Sequence, residues 1–241
     1  IVGYFKLPVA APISWLNTRP ATAKEFSSKL PVIAIDCEMC ATQDPVSGAR
    51  NHNALCRISI VDGETRRTLL DTLVRPEWPV IDYRTWVNGI KKEDLENVQF
   101  TIRHAQALVL ELCHEETVIV GHAVHHDLAA IKLEHTCVAD SAFLFKSNEG
   151  ESKICSLHDI AKAVLRKEMP SVHDSVNDAI TAFDCVNHYR EKRGCVESIE
   201  RSKRTERTRQ EHAIQLFVHR IPRSVDETHL SILFVSHADI T

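Results

Sequence analysis

Asp36 and Glu38 stand two residues apart, directly after the apolar run LPVIAI. Side chains alternate along a strand, so both carboxylates would share one face of it. Carboxylates so placed repel each other and are costly to take out of water, and a divalent cation with oxygen ligands is the natural compensation. The plainer alternative is a strand that has already ended, leaving both groups solvated. Asp127 follows in GHAVHHD and Asp178 in HDSVNDA, with His173 five residues ahead of the latter. Each has its own plain explanation. An acidic residue in a helix's first turn is favoured by the dipole, and Ser175-x-x-Asp178 has the spacing of a capping box. Together, however, Asp36, Glu38, Asp127 and Asp178 suffice to hold two Mg²⁺ or Mn²⁺ ions, and His173 titrates near neutrality. That inventory suits phosphodiester hydrolysis, one ion activating a water and the other stabilising the leaving oxygen.

The elements that must position these groups read as an α/β arrangement. The run ending at Asp36 has the length and β-branched content of a buried strand, and 55–61 and 67–74 read as two more, turning at Gly63. Ile102, Ala105, Leu108, Val109 and Leu112 recur at helical spacing. A strand over 117–123 ends at Gly121, a helix covers about 125–133, and a short fifth strand covers 136–140. Leu157, Ile160, Ala161, Val164 and Leu165 mark one further helix, and Val176, Ala179, Ile180, Phe183 and Val186 another. Three strands followed by alternating helices and strands imply a mixed five-stranded sheet flanked by helices, the order of a ribonuclease H-like architecture.

Composition fits a soluble globular protein: 241 residues, 44% hydrophobic and 26% charged. No apolar run is long enough to span a bilayer and no signal-peptide pattern opens the chain, so no membrane is expected. The absence of an initial Met suggests a piece of a longer protein. A net charge of −4 is unusual for a nucleic-acid protein, unless acidic metal ligands account for it. Eight cysteines at irregular spacing read as reduced, buried thiols of an intracellular protein, and Cys37-x-x-Cys40, without a second such pair, as two of them rather than a zinc or redox motif.

At the chemical residues the chain resembles a known family. Asp36-Cys-Glu38-Met39, GHAVHHD and His173-x4-Asp178 resemble the three motifs of the DEDDh exonuclease superfamily. Within it they are similar to the Rex-type RNA exonuclease branch, which includes the interferon-stimulated exonuclease and the plant small-RNA-degrading nucleases. Val80-Ile-Asp-Tyr-Arg-Thr85, Asn88-Gly-Ile90 and Asp140-Ser141 match further stretches of that branch, with Ser141 where it has Thr and Cys40 where Val or a similar residue is expected. The resemblance implies a 3′→5′ exonuclease acting on single-stranded RNA and releasing nucleoside 5′-monophosphates. Asp36, Glu38, Asp127 and Asp178 would be metal ligands and His173 the general base. Met39 and Arg84 would approach the terminal ribose, where a 2′-OH contact separates RNA from DNA. Ordinary core packing of Met39 and a surface ion pair of Arg84 are the alternatives.

The resulting division is a lead-in over 1–30, a nuclease domain over 31–192, a charged linker or helix over 193–213, and a segment over 214–241. That last segment, with Phe217 on a strand-like stretch, resembles the first strand and helix of an RNA-recognition motif; an amphipathic docking segment is the alternative. The basic run after Glu200 reads as solvated surface, or as a nuclear address placing the protein in the nucleus or nucleolus ahead of the cytoplasm. Two other functions stay open: an RNA-binding module with an inactive nuclease core, and a DNA exonuclease or RNase H-like endonuclease of the same fold. The oligomeric state is also left open.

Overall fold

In the computed structural model, residues 14–25, 30–150 and 153–202 are described. The RNA-recognition-like segment over 214–241, with Phe217, and nearly all of the basic run lie outside them, as does half of the lead-in. The scaffold is built on β2 (Val32–Gln43), which follows a two-residue strand β1 (Leu16–Asn17). β3 (Arg50–Asp62) and β4 (Thr68–Leu73) continue from it as an antiparallel meander. After β5 (Val80–Asp82) come three helices, α1 (Thr85–Asn88), α2 (Lys92–Leu95) and α3 (Ile102–Leu112). β6 (Val118–Gly121), α4 (His125–Ile131), β7 (Leu133–Glu134) and β8 (Val138–Asp140) complete the strands. α5 (Ser141–Leu144), α6 (Leu157–Ile160) and α7 (Ser175–Glu191) close the unit.

The main sheet runs β4-β3-β2-β6-β8, with β6 parallel to both β2 and β8. It is therefore the mixed α/β sheet that the element order implies, with β5 added as a sixth, short strand on β2. Alternation along β2 gives it two buried faces. Ile33, Ile35 and Cys37 share a core with Ala105 and Val109 of α3 and Leu128 and Ile131 of α4, while Ala34 packs with Val120, Ala179 and Phe183 on the α7 side. Because helices cover both faces, the strand is a nearly continuous apolar run.

Three expectations change in detail. β2 does not end at Glu38 but continues to Gln43, so Asp36 and Glu38 lie inside a strand and not at its solvated end. The expected helix over 157–165 is one α-turn continued by a π-turn at Ala161–Leu165. At the start of α7 the cap is Asp174, whose side chain accepts from the Asn177 N–H at 3.0 Å; Ser175 is already inside the helix, so the Ser175–Asp178 capping box does not form. All eight cysteines are free, and six of them, Cys37 and Cys40 included, are buried. Past α7 the chain returns to the unit at Ile199, which bridges to Ser147 and is buried beside Phe145 and Cys155. Among the described residues no helix is long and apolar enough to cross a membrane.

Candidate active site

A gap in strand pairing creates the site. On one edge β2 is paired with β3 along nearly its whole length. On the other, β6 pairs only with residues 32–34 and β5 only with 41–42, so the stretch between them has no strand alongside. β6 stops at Gly121 because the chain must turn sharply there. A Cβ at this position would sit 2.9 Å from a Val124 methyl and 3.1 Å from the Ile35 carbonyl oxygen. The turn sends α4 across the gap, and Asp127 fills the vacated hydrogen-bonding position, its Oδ1 accepting from the Cys37 N–H at 2.7 Å. Asp140, at the end of β8, holds the turn itself. Its carboxylate accepts from the backbone N–H groups of Ala123, Val124 and Ala142 at 2.8–2.9 Å. Ser141 donates to the Gly121 carbonyl at 3.0 Å and contacts His122 Nδ1 at the same distance.

α7 brings the remaining groups from the opposite direction. Its first turn is fastened to the sheet through the Ser59–Ser175 hydroxyl contact at 2.6 Å, and Ser59 also donates to Asp71. Asp178 is thereby held buried beneath the gap, and His173, just before the helix, places Nδ1 3.2 Å from Asp178 Oδ2. The His173 backbone N–H donates to the Val87 carbonyl at 2.9 Å, so the loop carrying the imidazole is tied to α1. Opposite lies the 80–90 segment. Asp82 accepts from the Arg84 N–H, and Asn88 donates to the carbonyls of Tyr83 and, at 3.5 Å, Met39. Arg84 takes a left-handed backbone, φ 52°, a conformation that costs energy outside glycine and clusters at functional sites. A cleft of about 380 Å³ opens between these walls, lined by Glu38, Met39, Arg84, Trp86 and His173 among others. One Arg84 guanidinium nitrogen donates to the His52 carbonyl at 2.7 Å.

Every residue expected at the site thus lies in or beside one region. Asp36, Glu38, Asp127 and Asp178 form its floor, His173 stands at the mouth, and Met39 and Arg84 line the cleft. Their electrostatics are adverse. The Asp36 carboxyl is held far above the usual range by burial first, and then by the charges of Asp127, Glu38 and Asp178. Burial also raises Glu38, with His173 opposing, and pushes Asp127 up to about 8 despite the Cys37 N–H. Arg57, opposite Glu38 on β3, relieves Asp36 and Glu38 only in part, because it is already paired with Asp71 at 2.9 Å. The Glu38 Oε1 atom is buried without any hydrogen-bond partner. Buried acceptors are rarely left so. An unpartnered carboxylate oxygen among three more carboxylates is an environment for a hard cation. Among the described residues, no three His, Cys, Asp or Glu side chains are drawn together as a ready-made metal cage.

Residues 33–185 match the family model described as Exonuclease. The chain belongs to the exonuclease family. This family generally uses divalent metal ions. Small RNA degrading nuclease 2 of Arabidopsis thaliana is 32% identical over 220 residues, 88% of this chain and 45% of that protein. RNA exonuclease 1 of Saccharomyces cerevisiae is 31% identical over 150 residues, 61% and 26% respectively. Among solved structures, the pseudoubiquitin hydrolase–RNA exonuclease module of Saccharomyces cerevisiae Pan2 in complex with AAGGA RNA aligns with a TM-score of 0.59 at 25% identity, covering 79% of this chain and 33% of that one. The chain therefore spans less than half the length of these relatives, and the fold is the ribonuclease H-like one of the Pan2 exonuclease domain. Beyond the motifs, the exonuclease site draws on residues that sequence reasoning did not single out. Arg57 lay among the apolar residues of the 55–61 strand with nothing to mark its role, His122 sat inside GHAVHHD without a role of its own, Val87 carried no signal, and the anchoring roles of Asp140 and Asn88 follow from the two turns they hold.

Proposed function

We propose that this chain is the catalytic domain of a 3′→5′ exoribonuclease that removes nucleoside 5′-monophosphates from single-stranded RNA, small RNAs among its substrates. The observation that carries the reading is the convergence of four carboxylates and one histidine on the unpaired stretch of β2, in a chain of the exonuclease family. Asp36, Glu38, Asp127 and Asp178 are the residues that would hold two Mg²⁺ or Mn²⁺ ions. Such ions, when bound, lower the pKa of a water and offset charge on the phosphate.

The side chains do the rest. His173 presents Nδ1 to Asp178, which leaves Nε2 to accept the proton of the attacking water. The water oxygen bonds to the last phosphorus, and the 3′-oxygen of the preceding nucleotide departs. Asp178 raises the basicity of the imidazole, since their contact is the main reason the His173 pKa lies above its ordinary value. Met39 and Arg84 face the position of the terminal ribose, and Arg84, fixed by Asp82 and His52, is the group to contact its 2′-OH. The similarity to small RNA degrading nucleases supports short RNAs as substrates. A time course on 5′-labelled single-stranded RNA and DNA, with Mg²⁺, Mn²⁺ or EDTA, tests the proposal. A ladder shrinking from the 3′ end of RNA, absent in EDTA and in Asp36→Ala, is expected. RNA that is retained on a gel but left intact with either metal would replace it with the binding-module reading.

A further inference from the structure

We propose that Trp86 is the stacking platform for the base of the 3′-terminal nucleotide, which makes it a determinant of how tightly the site holds an RNA end whatever its base; the inference rests on the exoribonuclease reading. An isolated exposed hydrophobic residue needs no explanation on a protein surface. Trp86 differs in three respects. It is 73% exposed yet lines the same cleft as Glu38, Met39 and His173. Its backbone is held from several sides: Arg84 begins the turn with φ 52°, Asn88 bonds back to Tyr83 and Met39, and the Val87 carbonyl accepts the His173 N–H. Val172, in the loop leading to His173, is also exposed, at 47%, and lies near Gly89 at the end of α1. Trp86 and Met39 thus put apolar surface into the cleft beside Glu38.

The cleft's size, about 380 Å³, is within the range of small-ligand sites. Its chemistry divides the way a nucleotide does. Carboxylates and His173 lie where the phosphate must be, Arg84 lies toward the ribose, and Trp86 with Met39 offers apolar surface for a flat ring. The one amide side chain lining the cleft, Asn88, is already engaged, donating to the Tyr83 and Met39 carbonyls and accepting from the Ile90 N–H, so the wall accepts any base. Stacking on an aromatic face is tolerant of sequence because every base has a π-face. Because the backbone carrying the indole is already fixed, little chain freedom is lost when the base arrives, and the contact acts on binding more than on the chemical step.

The test compares single-stranded RNAs that carry either an ordinary or an abasic 3′-terminal nucleotide, for the wild-type chain, Trp86→Ala and Trp86→Phe. Turnover is followed on cleavable RNA, and Kd by fluorescence anisotropy in Mg²⁺ on RNA whose last linkage is a non-hydrolysable phosphonate. Removing the terminal base should weaken wild-type binding by roughly 5- to 150-fold. Trp86→Ala should show the same loss on ordinary RNA, expressed in KM and not in kcat, and no further loss on abasic RNA; Trp86→Phe should recover most of it. Equal losses of Trp86→Ala on both RNAs, or none on either, would overturn the platform. A wild-type chain that binds with the expected base dependence but never cleaves would instead refute the nuclease reading and leave the platform standing.

Discussion

Replacing Asp127 by Asn should make the metal-free protein more stable while removing its activity. Asp127 is 4% exposed and its carboxyl is pushed up to about 8, chiefly by burial. In the unfolded chain an aspartate titrates near 3.9. Below about pH 4 both states are protonated and the group costs nothing. As pH rises toward 8 the unfolded chain ionises and the folded one does not, so stability is lost progressively across that window. A difference of about 4 units corresponds to roughly 5 kcal/mol at its limit, and allowing for relaxation and water entry about 2–3 kcal/mol is expected. Asn keeps an oxygen to accept the Cys37 N–H, so the variant deletes the charge without deleting the bond. For a unit of about this size, 2–3 kcal/mol is roughly 5–10 °C in Tm. Thermal unfolding in EDTA at pH 5 and pH 8 measures it. The wild-type Tm should fall between the two, and Asp127→Asn should fall less and lie above wild type at pH 8. Mg²⁺ should then raise the wild-type Tm by linkage and the variant's far less. An Asp127→Asn protein melting at or below wild type at pH 8 in EDTA would refute the claim that this carboxylate is strained.

His173→Ala should lower kcat by about 10²- to 10⁴-fold with little change in RNA affinity, as expected for a lost general base. Because the base works only when unprotonated, wild-type kcat should climb from pH 6 to pH 8; a flat profile would remove the residue from that role. Asp140→Ala leaves the N–H groups of Ala123, Val124 and Ala142 without their acceptor and should cost about 2–4 kcal/mol in urea unfolding. It should also reduce turnover by displacing Asp127, and undiminished turnover would show that the turn is held by other contacts.

Where burial imposed a pattern, the sequence disclosed it. The apolar run before Asp36, the alternation that sets Asp36 and Glu38 on one face, and the start of α4 before Asp127 were all legible, as was the helical spacing of α3. The outer half of the β2–β3 ribbon was not. ATQDPVSGARNHN reads as a loop, yet Thr42 pairs with Asn51 and Gln43 with Arg50. Cys40, Ala41 and Thr42 are buried, but residues 50–53 opposite them are polar and mostly exposed, so no apolar period marks the pairing. β5 was hidden for a similar reason, being three residues long between prolines and turns. The cap of α7 shifted by one residue because Ser175 is used elsewhere, its hydroxyl meeting Ser59 in the interior. Asp140 stood out only through resemblance, since one carboxylate serving three N–H groups of two different turns is a tertiary fact.

The same feature makes the site possible and makes it expensive. A strand flanked on both sides would satisfy its backbone and bury its side chains, with no room for a ligand. β2 loses one neighbour between its contacts with β6 and β5, and a β-bulge between Glu38 and Met39, with Cys56 as the extra residue on β3, alters the pleat at the same point. Bulges beside active sites re-aim side chains. Here the pairing resumes with Met39 opposite Leu55 and the Cys56 thiol donating to the Glu38 carbonyl at 3.2 Å, and past the bulge Cys40 packs with Ala54, Cys56, Ile90 and Leu95 and no longer with α7. Into that opening the fold directs four carboxylates and leaves one oxygen of Glu38 unpartnered, with Arg57 engaged by Asp71. Hydrophobic packing of α3 and α4 on one face and α7 on the other must offset the cost of burying these groups: Asp36 and Glu38 sit on the central strand β2, and Asp127 and Asp178 reach it from α4 and α7. Only a fixed backbone can hold these carboxyl groups close together, partly protonated, until something positive arrives.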